Sequence, residues 1–367
     1  MNTQQNFEND KKSEKLLEIK NLNINFKTKE GLIQAVRNFS LSLDKGKTLC
    51  LVGESGCGKS VTALSILRLL PSPPTEIKSG QIFFEGQDIL TLNTKELLTI
   101  RGKKISMIFQ DPMNSLNPVL TIGEQISEIL RLHLGMSQKQ AKQRSIELLS
   151  EVGIAEAERR YNAYPHELSG GMRQRVMIAM AIGCKPQLII ADEPTTALDV
   201  TMQKQILGLL KKLASENNSA LLLITHDLSV VAEMADDVLI MYLGEAFEYA
   251  KVAELFNSPN HPYTQGLLRS RPAMAESLDT DSAIDKALKL VNKESVLNLQ
   301  SSKERKSKRL PTILGSVPSL LNLPSGCTFH PRCTKALPQC SEIKPEFLPI
   351  KDNPSRFNRC LLTQKND

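Results

Sequence analysis

Gly53-Glu54-Ser55-Gly56-Cys57-Gly58-Lys59-Ser60 is the stretch of sequence that decides the fold of this chain. Its spacing matches the phosphate-binding loop pattern, Gly-x-x-x-x-Gly-Lys-Ser/Thr. The apolar run 48–52 before it predicts a buried strand, and residues 61–70 after it have the apolar periodicity of a helix. A strand, a tight glycine turn and a helix start direct several backbone N–H groups at one anion. The stretch therefore predicts a site for the phosphates of a nucleotide.

The side chains of this stretch have predicted roles of their own. Lys59 is expected to reach the β- and γ-phosphates, and the Ser60 hydroxyl to ligate Mg²⁺. The alternative interpretation is a glycine turn that binds no phosphate. The predicted strand before the stretch and the helix after it favour the phosphate-binding loop. Phe26 precedes the loop and could face an adenine, although a single aromatic residue is more often part of a core. The predicted ATP-binding residues are Phe26, Gly53, Glu54, Ser55, Gly56, Cys57, Gly58, Lys59, Ser60 and Val61.

The composition is that of a globular protein without a membrane span. The chain has 367 residues, enough for two domains, and 41% of them are hydrophobic. No apolar run reaches the roughly 18 residues that a transmembrane helix requires. Residues 1–15 are polar and predict a disordered tail, not a signal peptide. We expect a cytoplasmic protein that reaches a membrane only through a partner.

Net charge gives little support for a nucleic-acid ligand. The formal charge is +6, and the only dense basic run lies at residues 303–309. No aromatic residues alternate with these charges, as they do in single-strand nucleic-acid sites, so a solvated linker is the preferred interpretation. The sequence also contains no tryptophan, a frequent base-stacking residue.

Polar residues follow several buried strands in the pattern of a ligand-binding sheet edge. Residues 16–52 alternate between apolar and polar and predict antiparallel strands, after which strands and helices alternate. Gln110 ends one predicted strand, Asp192 and Glu193 end another, and His226 follows a third. Such an order predicts a parallel sheet whose ligand lies at the carboxyl ends of the strands. Asp192 can bind Mg²⁺ through water and Glu193 can polarise an attacking water, with a helix cap as the alternative role.

A helical insert and a second phosphate-type helix start occupy the middle of the chain. Residues 111–168 contain two amphipathic helices, at about 121–132 and 138–152. Ser169 then begins a further helix as a good N-cap, and Gly170 and Gly171 would let a phosphate approach the backbone amides. Beyond the last sheet strand, residues 267–309 predict a linker with one helix near 283–291, and residues 310–367 a small loop-rich module.

These motifs together resemble the ATP-binding subunit of an ABC transporter. The resemblance covers residues 16–266 and rests on the phosphate loop, Leu168–Met172, Asp192-Glu193 and His226. His261-Pro262-Tyr263-Thr264 and the cysteine-containing tail further resemble the peptide and nickel importer branch. The fold that this implies is an α/β P-loop NTPase cassette with a RecA-like parallel sheet core. An antiparallel β subdomain, an α-helical subdomain and a small Cys-rich C-terminal module complete it.

The resemblance also implies roles for individual residues. Glu193, His226 and Lys59 would be catalytic, with His226 contacting the γ-phosphate. Ser60, Gln110 and Asp192 would ligate Mg²⁺, and Gln110 would report the nucleotide state to the membrane partner. The residues that would serve the ATP of the opposite subunit and line the dimer interface are Ser169, Gly170, Gly171 and Asp199.

The function that the resemblance implies is ATP hydrolysis that powers import of di- and oligopeptides. Its expected partners are a homologous ATPase subunit in a heterodimer, two transmembrane permease subunits and an extracytoplasmic peptide-binding protein, with no nucleic acid. The chain would lie peripherally on the cytoplasmic face of the cell membrane. Two alternatives remain open: import of nickel or another small solute by the same machinery, and a soluble ABC ATPase without a transport role.

Cys327, Cys333, Cys340 and Cys360 form the last predicted site. Their spacing is not the paired Cys-x₂-Cys of a zinc ribbon, and spacing alone leaves a metal site and ordinary free cysteines equally open. The resemblance implies a [4Fe–4S] cluster, with zinc as the alternative, because four Cys ligands suit either. Pro331 and Arg332 would then shape the turn beside Cys333 and offset thiolate charge.

Overall fold

The structure is a computed structural model that describes residues 15–196, 198–270 and 313–364. Residues 271–309 of the predicted linker at 267–309, its helix near 283–291 and all but the last residue of the predicted tail at 1–15 lie outside the described residues, and the first residues of the linker belong to a helix that ends at Arg269. The strands of the described residues are β1 (Lys15–Thr28), β2 (Gly31–Asp44), β3 (Thr48–Val52), β4 (Thr75–Phe84), β5 (Gln87–Asp88), β6 (Ile105–Ile108), β7 (Leu188–Asp192), β8 (Ala220–Thr225), β9 (Asp237–Tyr242), β10 (Glu245–Lys251), β11 (Leu348–Ile350) and β12 (Asn353–Asn358).

The helices of the same residues alternate with these strands along the chain. They are α1 (Lys59–Ile66), α2 (Thr94–Ile100), α3 (Pro112–Ser115), α4 (Ile122–Leu134), α5 (Gln138–Glu151), α6 (Ala157–Arg160), α7 (Gly170–Ile182), α8 (Val200–Glu216), α9 (Leu228–Met234), α10 (Val252–Asn257), α11 (Pro262–Arg269) and α12 (Leu361–Gln364).

The chain divides into two compact units, which are described separately. Within the described residues, the first unit comprises 15–20, 40–47 and 81–222 without 197. The four-stranded sheet has the order β2-β1-β4-β5, and this unit contains β5 and only segments of the other three strands. Its remaining strands are β7, β6 and the N-terminal half of β8, which follow the order β8-β7-β6. Strands β6 and β7 run parallel, with Ile105 opposite Leu188, and their apolar residues are buried. Helices α4, α5, α7 and α8 supply most of the rest of the core of this unit, and α2 adds two buried apolar residues.

The insert helices of the first unit begin where their sequences provide caps. Thr121 caps α4 and Ser137 caps α5, each in a reciprocal capping box with the side chain three residues later. Helix α4 ends at Gly135, which adopts a left-handed conformation with φ 67°. These caps account for the two helices that the periodicity at 121–132 and 138–152 predicts.

The second unit comprises residues 21–39, 48–80 and, within the described residues, 223–270 and 313–364. Its larger sheet has the order β11-β12-β10-β9-β3, with the C-terminal half of β8 next to β3. Strand β3 pairs in parallel with β9, so that Val52 is opposite Ile240, and both strands are buried. This parallel pair places the carboxyl end of β3, where the phosphate-loop stretch begins, at one edge of the sheet.

The tail contributes strands to the sheet of the second unit. Strand β12 pairs antiparallel with β10, with Glu248 opposite Asn358, and β11 pairs with β12. The sequence predicts a separate loop-rich Cys module here, which the structure does not confirm. The strands escape prediction because Pro349 and Pro354 interrupt the alternating pattern; proline is tolerated in such strands at edges and ends.

Two further observations complete the fold. Helix α1 ends at Ile66, earlier than the periodicity of residues 61–70 predicts, because Arg68 turns the backbone into the left-handed region with φ 51°. In the described parts of the chain, no helix is both long enough and apolar enough to span a bilayer.

Candidate functional site

The phosphate-loop stretch forms a tight turn between β3 and α1 in the second unit. Gly56 and Gly58 have φ values of 78° and 104°, in the left-handed region where a side chain is strained. A Cβ on Gly53 would lie 2.2 Å from the Met241 carbonyl oxygen, and one on Gly58 would lie 2.5 Å from that of Ala35. The pattern therefore needs glycine at both of these positions for steric reasons.

Lys59 lies inside this turn. Its Nζ donates hydrogen bonds to the backbone carbonyl oxygens of Gly53 at 2.8 Å and Glu54 at 3.1 Å, and the residue is only 5% exposed. Ser60 and Val61 follow it in the first turn of α1 and are half-buried, whereas Ser55 is exposed. The turn thus holds a buried ammonium group at a helix start, which is the arrangement that binds phosphate oxygens.

Cys57 is a buried neighbour of this ammonium group. Its Sγ lies 3.9 Å from Lys59 Nζ. Burial raises the pKa of the Cys57 thiol, and Lys59 only partly offsets that effect. The thiol is therefore neutral at physiological pH and packs as a small apolar side chain.

Glu54 has partners that the sequence did not suggest. Arg332 forms an ion pair with its carboxylate, and Tyr263 Oη accepts a hydrogen bond from its backbone N–H at 3.1 Å. The prediction that Arg332 offsets thiolate charge beside Cys333 is therefore wrong in the placement of that guanidinium. In the sequence, Tyr263 is only part of a motif of the importer branch, and no local pattern connects Tyr263 or Arg332 to Glu54, which Arg332 follows by 278 positions.

Gln110, Asp192 and Glu193 come together in the first unit. Gln110 Nε2 donates to Glu193 Oε2 at 3.3 Å, and the Thr196 hydroxyl donates to the same oxygen at 3.2 Å. Asp192 is the last residue of β7 and is buried. Glu193 has φ 45°, a left-handed conformation that is uncommon for glutamate and often marks a functional position. The turn after β7 thus places two carboxylates on adjacent residues, the buried one of Asp192 and the half-buried one of Glu193.

The second predicted helix start is also found in the first unit. Ser169 caps α7 by accepting from the Met172 N–H at 3.4 Å, and Asp199 caps α8 by accepting from the Met202 N–H at 2.9 Å. Ser169, Gly170 and Asp199 are exposed, whereas Gly171 is buried against Met202. A Cβ on Gly171 would lie 2.8 Å from Met202 Sδ, so this glycine brings the starts of α7 and α8 close together.

His226 and Phe26 lie in the second unit. His226 is exposed and follows β8, one residue before Asp227, which caps α9 by accepting from the Ser229 N–H at 2.8 Å. Phe26 lies in β1 and is half-buried. A half-buried ring is compatible with either reading of Phe26, as an adenine contact or as part of the core.

The four tail cysteines are free thiols. The Cys327 N–H donates to the Cys340 carbonyl oxygen at 2.8 Å. Burial raises the pKa of Cys327 to about 12 and that of Cys360 to about 11, and the neighbouring thiols add to both shifts. Burial likewise raises the pKa of Cys333. Among residues 15–196, 198–270 and 313–364, no group of three or more His, Cys, Asp or Glu residues is arranged to hold a metal ion. The predicted [4Fe–4S] or zinc site is thus not supported by this geometry.

Comparison with protein families finds two matches that follow each other along the chain. Residues 36–196 match a family described as ABC transporter. Residues 247–296 and 293–340 match a family described as the C-terminal region of oligopeptide/dipeptide transporters.

Curated relatives extend over almost the whole chain. The oligopeptide transport ATP-binding protein AppD of Bacillus subtilis is 48% identical over 350 residues, which are 95% of this chain and 97% of that protein. OppD of the same organism, also an oligopeptide transport ATP-binding protein, is 47% identical over 92% of this chain and 87% of its own. A putative peptide import ATP-binding protein of Brucella melitensis is 45% identical over 95% of this chain and 98% of its own.

Solved structures of ATP-binding cassettes match about two thirds of the chain. The dimeric post-hydrolysis structure of the ATP-binding cassette MJ0796 with ADP and Pi has a TM-score of 0.58 and 31% identity. The match covers 65% of this chain and 99% of that one. CbiO1 of Clostridium perfringens, part of the ABC transporter complex cbiONQ, has a TM-score of 0.57 and 25% identity, over 67% of this chain and 92% of its own.

Proposed function

The chain belongs to the ATP-binding subunits of ABC transporters, and from that premise we propose that it hydrolyses ATP to power the import of di- and oligopeptides. The resemblance read from the sequence is thereby confirmed, as is the ATP-binding cassette fold. The relatives are named for oligopeptide transport or peptide import. These names favour peptides over the nickel and non-transport alternatives.

The observation that carries the proposal is the buried ammonium of Lys59 inside the glycine turn. Its hydrogen bonds to two carbonyl oxygens of the loop, at 2.8 and 3.1 Å, hold the positive charge where phosphate oxygens enter. In the proposed reaction Lys59 binds the β- and γ-phosphates and the amides of the turn bind the remaining oxygens. Phe26 contacts the adenine, and the residues from Gly53 to Val61 form the nucleotide cradle.

Glu193 is the proposed general base of the reaction. Gln110 and Thr196 both donate hydrogen bonds to Glu193 Oε2 and so orient the carboxylate, which would accept a proton from the attacking water. The left-handed backbone at Glu193 fixes the direction of the side chain. His226 contacts the γ-phosphate in this proposal and orients it for in-line attack.

Mg²⁺ would accompany the nucleotide and neutralise charge on its phosphates. The proposed ligands are the Ser60 hydroxyl, the Gln110 amide and the Asp192 carboxylate. All three offer oxygen donors, which Mg²⁺ prefers, and the buried position of Asp192 at the end of β7 suits an outer-shell ligand.

A second subunit would complete each ATP site. Ser169, Gly170, Gly171 and Asp199 would serve the ATP held by the opposite subunit, as the exposed start of α7 suggests. The dimeric cassette MJ0796 with ADP and Pi supports the same assembly. The partner that we propose is a homologous ATPase, so that the pair is a heterodimer. Two transmembrane permeases and an extracytoplasmic peptide-binding protein complete the transporter, and the chain is peripheral on the cytoplasmic face of the membrane.

We also propose a division of the chain into domains that fits this assembly. Residues 16–266 form the ATPase domain, within which residues 111–168 are the helical subdomain that transmits closure to the permeases. Residues 267–309 link this domain to the C-terminal region at 310–367. The proposal requires no metal at Cys327, Cys333, Cys340 and Cys360. Iron, sulfide and zinc analysis after anaerobic purification would decide whether a [4Fe–4S] cluster or zinc occupies them.

The test is ATP turnover by the assembled transporter with Glu193→Gln. Removing the base should slow hydrolysis by about 10²–10⁴ while ATP affinity is retained, because the amide keeps the size and the partners of the carboxylate. Glu216→Gln is the matched control, since Glu216 is an exposed carboxylate of α8 in the same unit and forms an ion pair with Lys212 at 3.8 Å. A loss of less than fivefold with Glu193→Gln would contradict the assignment of the base. A parent protein that binds no ATP would contradict the function.

A further inference from the structure

Glu54, inside the phosphate loop, is held by a residue from the far end of the chain. Arg332 Nη1 donates to Glu54 Oε2 at 2.6 Å, and Nη2 donates to Glu54 Oε1 at 3.0 Å. The two planar groups therefore form a bidentate pair, which is the strongest and most directional form of ion pair between side chains. The Glu54 carboxylate is therefore held by the tail.

Arg332 is itself fixed by several contacts. Its Nε donates to the Leu314 carbonyl oxygen at 3.1 Å, and Nη1 also lies 3.4 Å from Tyr242 Oη. The guanidinium carbon lies 5.8 Å from the centre of the Tyr242 ring, and the residue is 7% exposed. Because the arginine already has one conformation, it holds Glu54 without further loss of side-chain entropy.

Tyr263 is a second anchor for the same loop residue. Its Oη accepts from the Glu54 backbone N–H at 3.1 Å and lies 3.4 Å from Glu54 Oε2. The phenol is fully buried, and burial raises its pKa, so it keeps its proton and can donate to the carboxylate. The backbone and the side chain of Glu54 are therefore both held by residues that follow the nucleotide motifs in the sequence.

These anchors reach the lysine that binds phosphate. The carbonyl oxygen of Glu54 accepts from Lys59 Nζ at 3.1 Å, so the position of Glu54 affects the position of the ammonium group. The charge of Arg332 also favours phosphate binding. A carboxylate in a phosphate-binding turn would repel the anionic ligand unless it is neutralised, and Arg332 provides the opposite charge at hydrogen-bond distance.

We infer that Arg332 is a positioning residue for the phosphate loop, through which the tail sets the affinity of the loop for the polyphosphate of ATP. This inference rests on the proposed function, because it assigns a role within ATP binding. Arg332 touches no substrate in it and acts only through Glu54. Loss of Arg332 should weaken binding of the polyphosphate and leave binding of the adenosine part of ATP largely unchanged. The shifted loop and the Glu54 carboxylate left without its arginine would both act on the phosphate groups.

A buried ion pair elsewhere in the same unit separates positioning from general stability. Arg356 Nη2 contacts Glu248 Oε1 at 3.2 Å and also donates to the Ser258 carbonyl oxygen at 2.6 Å. This pair is at least as buried as the Arg332 pair and also involves the tail, but neither of its members belongs to the loop. Arg356→Gln is therefore the matched control for loss of a buried arginine.

The experiment measures binding of ATP, ADP and AMP to the full-length parent chain and to its variants. Arg332→Gln, Arg332→Lys, Glu54→Gln and the double variant Arg332→Gln/Glu54→Gln test the pair, and Arg356→Gln is the control. Arg332→Gln should weaken ATP binding by about tenfold, the usual size for an unpaired buried charge that also repels the ligand, and AMP binding much less. Arg332→Lys should lose less, because it keeps the charge. The double variant should recover part of the ATP affinity that Arg332→Gln loses, because it removes the repelling carboxylate but does not restore the contact that positions the loop.

Three results would overturn the inference while the parent chain still binds ATP, so that the proposed function stands. One is equal loss of ATP affinity in Arg332→Gln and Arg356→Gln. Another is an equal loss for AMP and ATP, and the third is no recovery in the double variant. Each would mean that Arg332 only stabilises the fold. If Arg332→Gln fails to fold, Arg332→Lys decides: it should weaken ATP binding more than AMP binding, because the bidentate contact is lost while the charge is kept, and an equal loss for the two nucleotides would overturn the inference.

Discussion

The starts of helices α1 and α7 are both suited to bind phosphate, but they are built in opposite ways. At α1, in the second unit, the N-cap Gly58 is left-handed with φ 104°, and an added Cβ would lie 2.5 Å from the Ala35 carbonyl oxygen. At α7, in the first unit, Ser169 is an ordinary N-cap, and among the described residues a Cβ on Gly170 would meet only Leu198 Cδ2, at 4.0 Å. The first helix start is enclosed by its own chain, and the second is open.

This difference separates two ways of using a helix N-terminus. The enclosed start contains a buried lysine and a neutralised carboxylate, so its charge is set before any ligand arrives. The open start has no acidic residue in its first turn and offers only backbone N–H groups and a hydroxyl. We interpret the enclosed start as the site for the subunit's own ATP and the open start as half of a site that another molecule completes. The two helix starts should therefore respond differently to substitution.

Gly170→Asp gives the largest effect that this comparison predicts. The new carboxylate would face the γ-phosphate bound by the opposite subunit, and like-charge contacts of this kind cost several kcal/mol. We expect ATP turnover by the assembled transporter to fall by about 10²–10³. ATP affinity of the isolated chain should stay within threefold of the parent, roughly the resolution of a 0.7 kcal/mol effect. Steady-state hydrolysis and direct nucleotide binding are the two measurements.

We expect Gly170→Asp to fold as stably as the parent, so that a loss of turnover would not reflect unfolding. An aspartate in the first turn of α7 is favourable to the helix dipole, and the site has room for its side chain. Gly170→Ala is the control and should retain most of the turnover. If affinity of the isolated chain fell tenfold or more with Gly170→Asp, the assignment of this helix start to the opposite subunit would be wrong.

Gly58→Ala tests the enclosed helix start in the same terms. The left-handed backbone and the contact with the Ala35 carbonyl oxygen should destabilise the second unit by about 2–4 kcal/mol. Gly56→Ala has φ 78° but nothing within 4 Å of the added Cβ, so it should cost only about 1 kcal/mol. Urea unfolding of the three chains measures both values. Equal losses at the two positions would show that backbone strain, not enclosure, distinguishes Gly58.

Much of the cassette could be predicted because local pattern and spacing determine it. The phosphate loop, the buried runs at β7 and β8 and the capped helices of the insert are encoded in short stretches of sequence. The hydrogen bond of Gln110 to Glu193 could also be anticipated, since both residues follow parallel strands. That these residues act in ATP hydrolysis stays a prediction, which turnover measurements must test.

The interactions of the tail could not be predicted, because they join residues far apart in the chain. Arg332 and Glu54 are separated by 278 positions, and no spacing rule connects them. Strands β11 and β12 were missed because prolines interrupt them and because their partner β10 is remote in sequence. The cysteines drew attention to a metal, while the burial that raises the pKa of Cys327 and Cys360 is visible only in three dimensions.

His261 is a buried neutral group next to Tyr263, and the stability of the second unit depends on its staying neutral. His261 Nδ1 accepts from the Tyr263 N–H at 3.0 Å, so the neutral ring carries its proton on Nε2, which lies 3.2 Å from the Arg359 carbonyl oxygen. The pKa of His261 is lowered to about 3, mainly by burial and in smaller part by the Arg359 guanidinium, although the hydrogen bond to the Arg359 carbonyl oxygen raises it. The Glu248 carboxylate accepts from the His261 backbone N–H at 2.9 Å but does not offset the burial.

Acid should therefore destabilise the region around Tyr263, with the smallest of the three effects. The pKa of His261 is about 3 in the folded chain and about 6.5 when unfolded, so its neutral form contributes stability above pH 6.5 that is lost as pH falls toward 3. At pH 5 this loss is about 2 kcal/mol relative to pH 7.5. His261→Asn should be less stable than the parent at pH 7.5, since it loses the ring contacts, but its change between pH 7.5 and 5 should be smaller by about 2 kcal/mol. Urea unfolding at the two pH values, with His166→Asn as an exposed control, measures the difference; an unchanged pH dependence in His261→Asn would contradict the role of this histidine in acid sensitivity.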